Sequence, residues 1–218
     1  KFLIQKDYTV FRLGEKPLNK INFNNKDFID YPNSGLKSDI MDLYLIKECD
    51  FYVGTPSGPL DTAYLFEKPV FVTNLYDLYP SFPRKKNDRG LLRTIVRKDT
   101  GQKLSVREFA KLNIKYHQTE VLIDDLNFFE NTSEELYNGM REYLDLFQDN
   151  NQKILTFEKK QVDLNSFLKS RLEEIYNEEV MKKNYFKNNR WKKNEFLRII
   201  KRFKSCEGTY TKSSFNLN

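Results

Sequence analysis

The stretch that decides the fold is Asp50-Phe51-Tyr52-Val53-Gly54-Thr55-Pro56-Ser57-Gly58-Pro59, followed by LDTAYLFEK and then Pro69-Val70-Phe71-Val72-Thr73-Asn74. A short apolar run ends at Gly54, a turn of small residues follows, and residues 60–66 have helical spacing. Pro59 falls where the first turn of a helix tolerates a proline. A second apolar run then closes at Asn74. Working outward, residues 8–13 (YTVFRL) read as a strand ended by Gly14, and residues 26–31 (KDFIDY) as a second. Ser38 opens a helix, with an N-capping hydroxyl and Asp39 and Asp42 in the first turn. The order β-β-α-β-α-β, built on short apolar strands, predicts an α/β fold with a mainly parallel, Rossmann-like sheet. Runs 8–13, 28–31, 51–53 and 70–73 are expected as neighbours in that one sheet.

Beyond residue 75 the chain reads as a Pro-, Tyr- and Asp-rich loop to Gly90, then one further strand within 91–97. A capping box, Ser105 with Glu108, starts a short helix to residue 112. Asn131-Thr132-Ser133-Glu134-Glu135 starts another, reaching residue 147. The last third is helical by periodicity. Leu164, Phe167, Leu168 and Leu172 form one stripe, and Trp191, Phe196, Leu197 and Ile200 a second. The expected organisation is a Rossmann-like domain over 1–149 and a basic helical appendage over 150–218.

Composition excludes several classes. The 218 residues include 18 Phe, 13 Tyr and 1 Trp, enough aromatic mass for a core and too much for wholesale disorder. No apolar run approaches the roughly 20 residues that span a bilayer. Two distant cysteines make no disulfide framework or structural zinc site, and the single His117 makes no multi-histidine metal centre. His117 stands outside any motif and reads as an ordinary surface or core histidine. The opening Phe2-Leu3-Ile4 reads like the tail of a helix, and the chain as a fragment of a longer protein. The net charge of +6 is uneven: residues 1–149 carry −2, and residues 150–218 carry +8. Residues 180–206 hold 10 basic residues against Glu195 alone, a run drawn to anionic surfaces.

The residues that could carry chemistry gather at strand ends and helix starts. In the turn from Gly54 to Pro59, small residues let a phosphate approach the backbone. The free amides and the positive end of the helix dipole can then hold it. The alternative is a tight turn with a capped helix. Arg12, beside Gly14, is placed for a bidentate contact with phosphate or carboxylate, or is a surface arginine. Ser38, Asp39 and Asp42 either cap a helix and offset its dipole or bind sugar and ribose hydroxyls. Asn74 is a turn residue or a ligand contact. Glu67, Glu134 and Glu135 read as solvated helix charges, and residues 76–83 as a stacking surface or a packed loop.

The pattern of Arg12-Leu13-Gly14, Ser38-Asp39, Asp42-Leu43, the Gly54–Gly58 turn, Glu67-Lys68-Pro69-Val70 and Asn74 resembles a largely uncharacterised family of bacterial glycosyltransferases. That family is associated with surface-polysaccharide gene clusters. The helix start at Asn131 and, faintly, the ending from Tyr210 share the likeness. It covers about residues 2–146, and the Ser-Gly turn recurs across GT-B enzymes and related sugar-nucleotide epimerases. The resemblance implies the carboxyl-terminal, sugar-nucleotide-binding domain of a GT-B architecture, with an acceptor-binding domain upstream. It implies transfer of a sugar from a nucleotide sugar to a cell-surface glycan or lipid-linked acceptor, without a metal or other cofactor, in the cytoplasm at the inner membrane face. Arg12 would offset diphosphate charge beside Gly14. The turn at Thr55, Ser57 and Gly58 would hold phosphate. Ser38, Asp39 and Asp42 would lie near the nucleoside or sugar, with Asn74 on the same rim. The catalytic base would come from the upstream domain. The basic run over 180–206 departs from the family's pattern; its charge draws it to the anionic cytoplasmic membrane face, where lipid-linked acceptors reside, or it packs as a solvated helix face. An epimerase of the same architecture would need acidic and histidine catalytic residues that this stretch lacks. A nucleic-acid-binding protein is disfavoured by the slightly acidic front and the lack of an aromatic-basic recognition motif.

Overall fold

A computed structural model describes residues 1–15, 19–76, 78, 83–112, 125–148, 163–171, 173–174, 201–202 and 205–211. The chain forms two compact units. The first comprises Lys1–Tyr52 and Ser57–Pro69, and the second Val53–Pro56 and Val70–Asn218. The fold is mixed α/β with mostly parallel strands.

In the first unit, a short 3-10 turn at Ile4–Lys6 leads into β1 (Val10–Arg12). That strand pairs in parallel with β2 (Phe28–Asp30), Arg12 opposite Asp30. A second 3-10 turn, Tyr31–Asn33, leads to α1 (Asp39–Glu48). Ser38 caps this helix, its hydroxyl accepting the Met41 amide at 3.3 Å. Asp39 and Asp42 sit at the positive end and Lys47 at the negative end, as the dipole favours. The helix packs on α2 (Gly58–Leu65), which buries Leu60, Ala63 and Tyr64. Tyr8 meets Phe51 edge to face at 5.2 Å, and Phe23 meets Phe28 at 5.5 Å.

The second unit is built on a four-stranded sheet in the order β3-β4-β5-β8, with β3 at Tyr52–Gly54, β4 at Val70–Leu75, β5 at Arg89–Leu92 and β8 at Thr209–Tyr210. β4 pairs in parallel with β5, and β5 with β8. Val70, Phe71, Val72 and Leu75 are buried completely or nearly so, which suits a run of β-branched and aromatic residues covered on both faces. β6 (Thr94–Arg97) and β7 (Leu126–Phe129) form a separate antiparallel ribbon. α3 (Val106–Lys111) carries the expected capping box and buries Val106, Phe109 and Ala110. α4 (Ser133–Gln148) packs on β4 and β5. Its Gly139 lies against the Phe71 ring, where an added Cβ would come within 2.9 Å of the ring edge, and Tyr143 stacks on Phe71 at 5.5 Å. Residues 163–171 are helical, with Leu164 and Leu168 buried.

The expected elements that fall among the described residues exist, but two expectations need correction. The four runs read as one sheet are all strands, yet β1 and β2 form a two-stranded sheet of their own. Each is only three residues long, and none of the six residues is fully buried. Such strands lack the continuous buried surface of an interior strand. The single strand expected within 91–97 is two, divided at Arg93, because the sheet partner changes there from β4 to β7. The boundary expected at 149–150, His117 and most of the basic run, including Trp191, Phe196 and Ile200, lie outside the described residues.

Candidate functional site

In the first unit, the carboxyl ends of β1 and β2 and the start of α1 are tied together by polar contacts. The Arg12 guanidinium donates to Asp30 Oδ1 at 3.0 Å and to the Asn19 carbonyl at 2.8 Å. Asp30 Oδ2 accepts the Ile21 amide and the Asn33 side-chain amide, each at 3.0 Å. These donors, the Ile21 amide foremost, hold the Asp30 carboxyl below the usual aspartate range. Gly14 follows with φ of +149°, a backbone geometry that favours glycine. The Tyr31 hydroxyl accepts the Ser38 amide at 2.9 Å and donates to the Ser38 carbonyl at 3.2 Å, which fixes the entry to α1. Lys37 bridges Asp42 and, at 3.2 Å, Glu15. Its hydrogen bond to Asp42 is the main reason its ammonium is held above the usual lysine range. Asp39 and Ser38 are exposed on the first turn. Asp42 Oδ1 is buried without a hydrogen-bond partner among the described residues.

Arg12, Gly14, Ser38 and Asp42 therefore border one edge of the first unit, with Arg12 and Asp42 each facing an internal counter-charge. The turn after β3 is built differently. Gly54 accepts from the Thr73 hydroxyl at 3.4 Å, and Thr55 is exposed. Ser57 is the extended N-cap of α2, and its hydroxyl makes no capping bond. It hydrogen-bonds instead with Tyr52, whose phenol burial pushes above its ordinary pKa while the Ser57 contact pulls it back. Pro59 supplies no amide, so the first-turn donors are the backbones of Gly58 and Leu60. A Cβ built on Gly58 would meet nothing within 4 Å. The approach to this helix start is open.

Asn74 has a different place. It sits in β4 at φ +53°, where the pairing with β5 shifts register between Val72 and Leu75. Its side-chain carbonyl accepts the Asn131 amide at 2.7 Å, and its own amide donates to Asn131 Oδ1 at 2.6 Å. Asn131 also donates to the Leu92 carbonyl at 2.7 Å. This reciprocal clamp fastens the ends of β4 and β5 to the start of α4, so the Asn74 carbonyl is engaged in holding the backbone. Glu135, read as a solvated charge, is a capping residue. It accepts from the Thr132 amide at 2.8 Å, and its own amide donates to the Thr132 hydroxyl. Sequence reasoning missed Asn131, whose signal was only an Asn before a helix, and Arg93, which it placed inside a strand. Among the described residues, no group of three or more His, Cys, Asp or Glu side chains could hold a metal ion. None of their helices is long and apolar enough to cross a membrane.

No protein-family profile, curated protein or solved structure matches this chain.

Proposed function

We propose that this chain is the sugar-nucleotide-binding, carboxyl-terminal domain of a GT-B glycosyltransferase that elongates a cell-surface glycan. The observation that carries the reading is the strand–turn–helix from Gly54 to Gly58, with exposed Thr55 and Ser57 and open space over Gly58. Such a helix start attracts a diphosphate through its unpaired amides and its dipole. The donor's anomeric carbon–oxygen bond would break toward the diphosphate, whose growing negative charge those amides would stabilise. The new bond would form to an acceptor hydroxyl, deprotonated by a base from the upstream domain. Ser38 and Asp39, exposed on α1, would face hydroxyls of the nucleoside or sugar. Arg12 already has an anion in Asp30, at 3.0 Å from its Nη1, which makes it a weaker candidate than the turn. The reaction needs no metal in this reading. It belongs at the inner face of the cell membrane, where a lipid-linked acceptor lies beside the basic run of 180–206.

The test is isothermal titration with uridine, guanosine and cytidine diphosphates, with an RNA oligonucleotide alongside. At least one diphosphate should bind, and RNA should not compete with it. Gly58→Val should weaken that binding by about tenfold or more, since a hydrogen bond to a charged group contributes about 1.5–3 kcal/mol. Its unfolding midpoint should stay put, because the added carbons have room. Equal affinity in Gly58→Val and the parent would remove the turn from the site.

A further inference from the structure

The carboxyl edge of the second unit's sheet carries a cation that the proposed donor site does not use. β4 and β5 run parallel, so their carboxyl ends lie on one edge, the edge where ligands bind in open α/β sheets. Tyr76 directly follows β4, and Arg93 directly follows β5. The Arg93 amide donates to the Leu75 carbonyl at 2.7 Å, which holds the two residues side by side. The Arg93 guanidinium carbon stands 5.6 Å from the centre of the Tyr76 ring, within cation–π range. Tyr76 is exposed on its outer side and braced edge-on by Phe128 at 6.5 Å.

The hydrogen bonds around Arg93 are incomplete. A guanidinium has five N–H donors and is always charged. Among the described residues its side chain makes one hydrogen bond, a long one of 3.4 Å from Nη2 to Glu130 Oε1. Its Nε is buried with no partner among the described residues, although the side chain as a whole is only 26% exposed. A partly buried cation of this kind is better satisfied with an anion against it. Glu130 is a poor one, because its own side chain is 75% exposed and reaches the guanidinium with a single oxygen. The Asn74–Asn131 clamp meanwhile fixes the strand ends and the 130–132 loop around this pair. The pieces are a rigid aromatic face, a pre-positioned fork of donors, and a displaceable carboxylate.

We propose that Arg93 and Tyr76 form a binding site for an oxyanion carried on a ring, with the phosphate or carboxylate on the Arg93 fork and the ring against Tyr76. A nucleotide base and an acidic or phosphorylated sugar share this chemistry. Binding would displace Glu130 to solvent, exchanging one long hydrogen bond for a bidentate pair. This inference does not rest on the glycosyltransferase reading.

The test titrates the full chain with uridine monophosphate, glucose 1-phosphate, glucuronate and inorganic phosphate. At least one ring-bearing anion should bind about tenfold tighter than inorganic phosphate, and which one does separates a nucleotide from a sugar source. Arg93→Gln should abolish the preference. Tyr76→Ala should weaken the ring-bearing anion and leave inorganic phosphate unchanged. Glu130→Gln alters an exposed side chain and folds as the parent does, and it should tighten binding several-fold by removing the competing carboxylate. Failure of all four probes to bind at millimolar concentration would overturn the proposal. So would affinity in Glu130→Gln that is unchanged or weaker. A ring-bearing anion that binds equally well to Arg93→Gln and the parent would also sink it, whereas a nucleoside diphosphate lost only in Gly58→Val would bear on the donor-site reading alone.

Discussion

Two arginines stand at the ends of parallel strands in this protein, and their surroundings differ. Arg12 closes β1 in the first unit, opposite Asp30, whose carboxylate takes its Nη1 at 3.0 Å while the Asn19 carbonyl takes it at 2.8 Å. Arg93 follows β5 in the second unit, and among the described residues its side chain has one long hydrogen bond, to an exposed glutamate. A basic residue at a strand's carboxyl end is therefore no sufficient sign of a ligand contact. What decides is whether the neighbouring strand brings an acid into register. β2 brings Asp30 opposite Arg12. β4 brings Leu75 and Tyr76 beside Arg93, an apolar carbon chain and an aromatic face. The acid on the first edge is largely buried against its arginine, and the acid on the second is exposed and more distant.

The sharpest way to break this contrast is to dismantle the second edge. Asn131→Ala removes the acceptor for the Asn74 amide and the donor to the Leu92 carbonyl, both at a site that is buried or half-buried. Each buried group left unpaired costs about 1–3 kcal/mol, so a total loss of about 3 kcal/mol is expected. Urea unfolding measures it. Asn131→Asp keeps the acceptor and loses the donor, so it should fall between the alanine variant and the parent. A change under about 1 kcal/mol in Asn131→Ala would mean that the clamp does not hold the edge. Arg93 would then owe its position to something else.

Much of the first edge was legible in the sequence, and little of the second. Ser38 and Met41, at the first edge, are three residues apart, so the pattern that encodes their contact lies within one helical turn, as it does for Ser105 and Glu108 at α3 of the second unit. The β3–turn–α2 segment is likewise contiguous. Asn74 and Asn131 are 57 positions apart, and nothing local marks one as the partner of the other. Arg93 sits in an unbroken β-rich run, so the break between β5 and β6 is set by which strands pair on each side. The same holds for β8, whose two residues pair with β5 residues 120 positions earlier in the chain. The one-sheet expectation failed on the same ground, since the order of strands along the chain does not tell which edges meet.

A smaller effect compares the two helix starts of the first unit. The Ser38 hydroxyl caps α1 by accepting the Met41 amide, whereas the Ser57 hydroxyl makes no capping bond on α2. Ser38→Ala should cost about 1 kcal/mol of stability, the usual loss for an N-cap hydroxyl. Ser57→Ala should cost less, because the first-turn amides of α2 lose no side-chain acceptor. Chemical unfolding of the two variants side by side measures the difference. Equal losses in Ser57→Ala and Ser38→Ala that persist when Tyr52 is replaced by Phe would show that Ser57 stabilises the helix start as Ser38 does, and would weaken the case that the α2 turn is kept open for a ligand.

The smallest effect is one of protonation, and it tests whether the first edge is neutralised from within. The Asp30 carboxyl is held low first by the Ile21 amide, then by Asn33 and Arg12. Removing the guanidinium in Arg12→Gln should therefore raise the Asp30 pKa only part of the way toward its ordinary value. The sign follows from the folded pKa lying below the unfolded one. The stability that Asp30 contributes is complete above the unfolded aspartate pKa of about 3.9, and it is lost as pH falls through the lower folded value. Parent and Arg12→Gln should thus differ in how low the pH must go before the midpoint begins to fall, with the variant losing stability earlier. Carbon-detected NMR titration of the Asp30 carboxyl reads the shift directly. If Arg12→Gln leaves that titration unmoved and instead weakens nucleoside diphosphate binding as strongly as Gly58→Val does, Arg12 is a ligand contact after all. The two arginines would then share one role, and the acid opposite Arg12 would merely hold it ready.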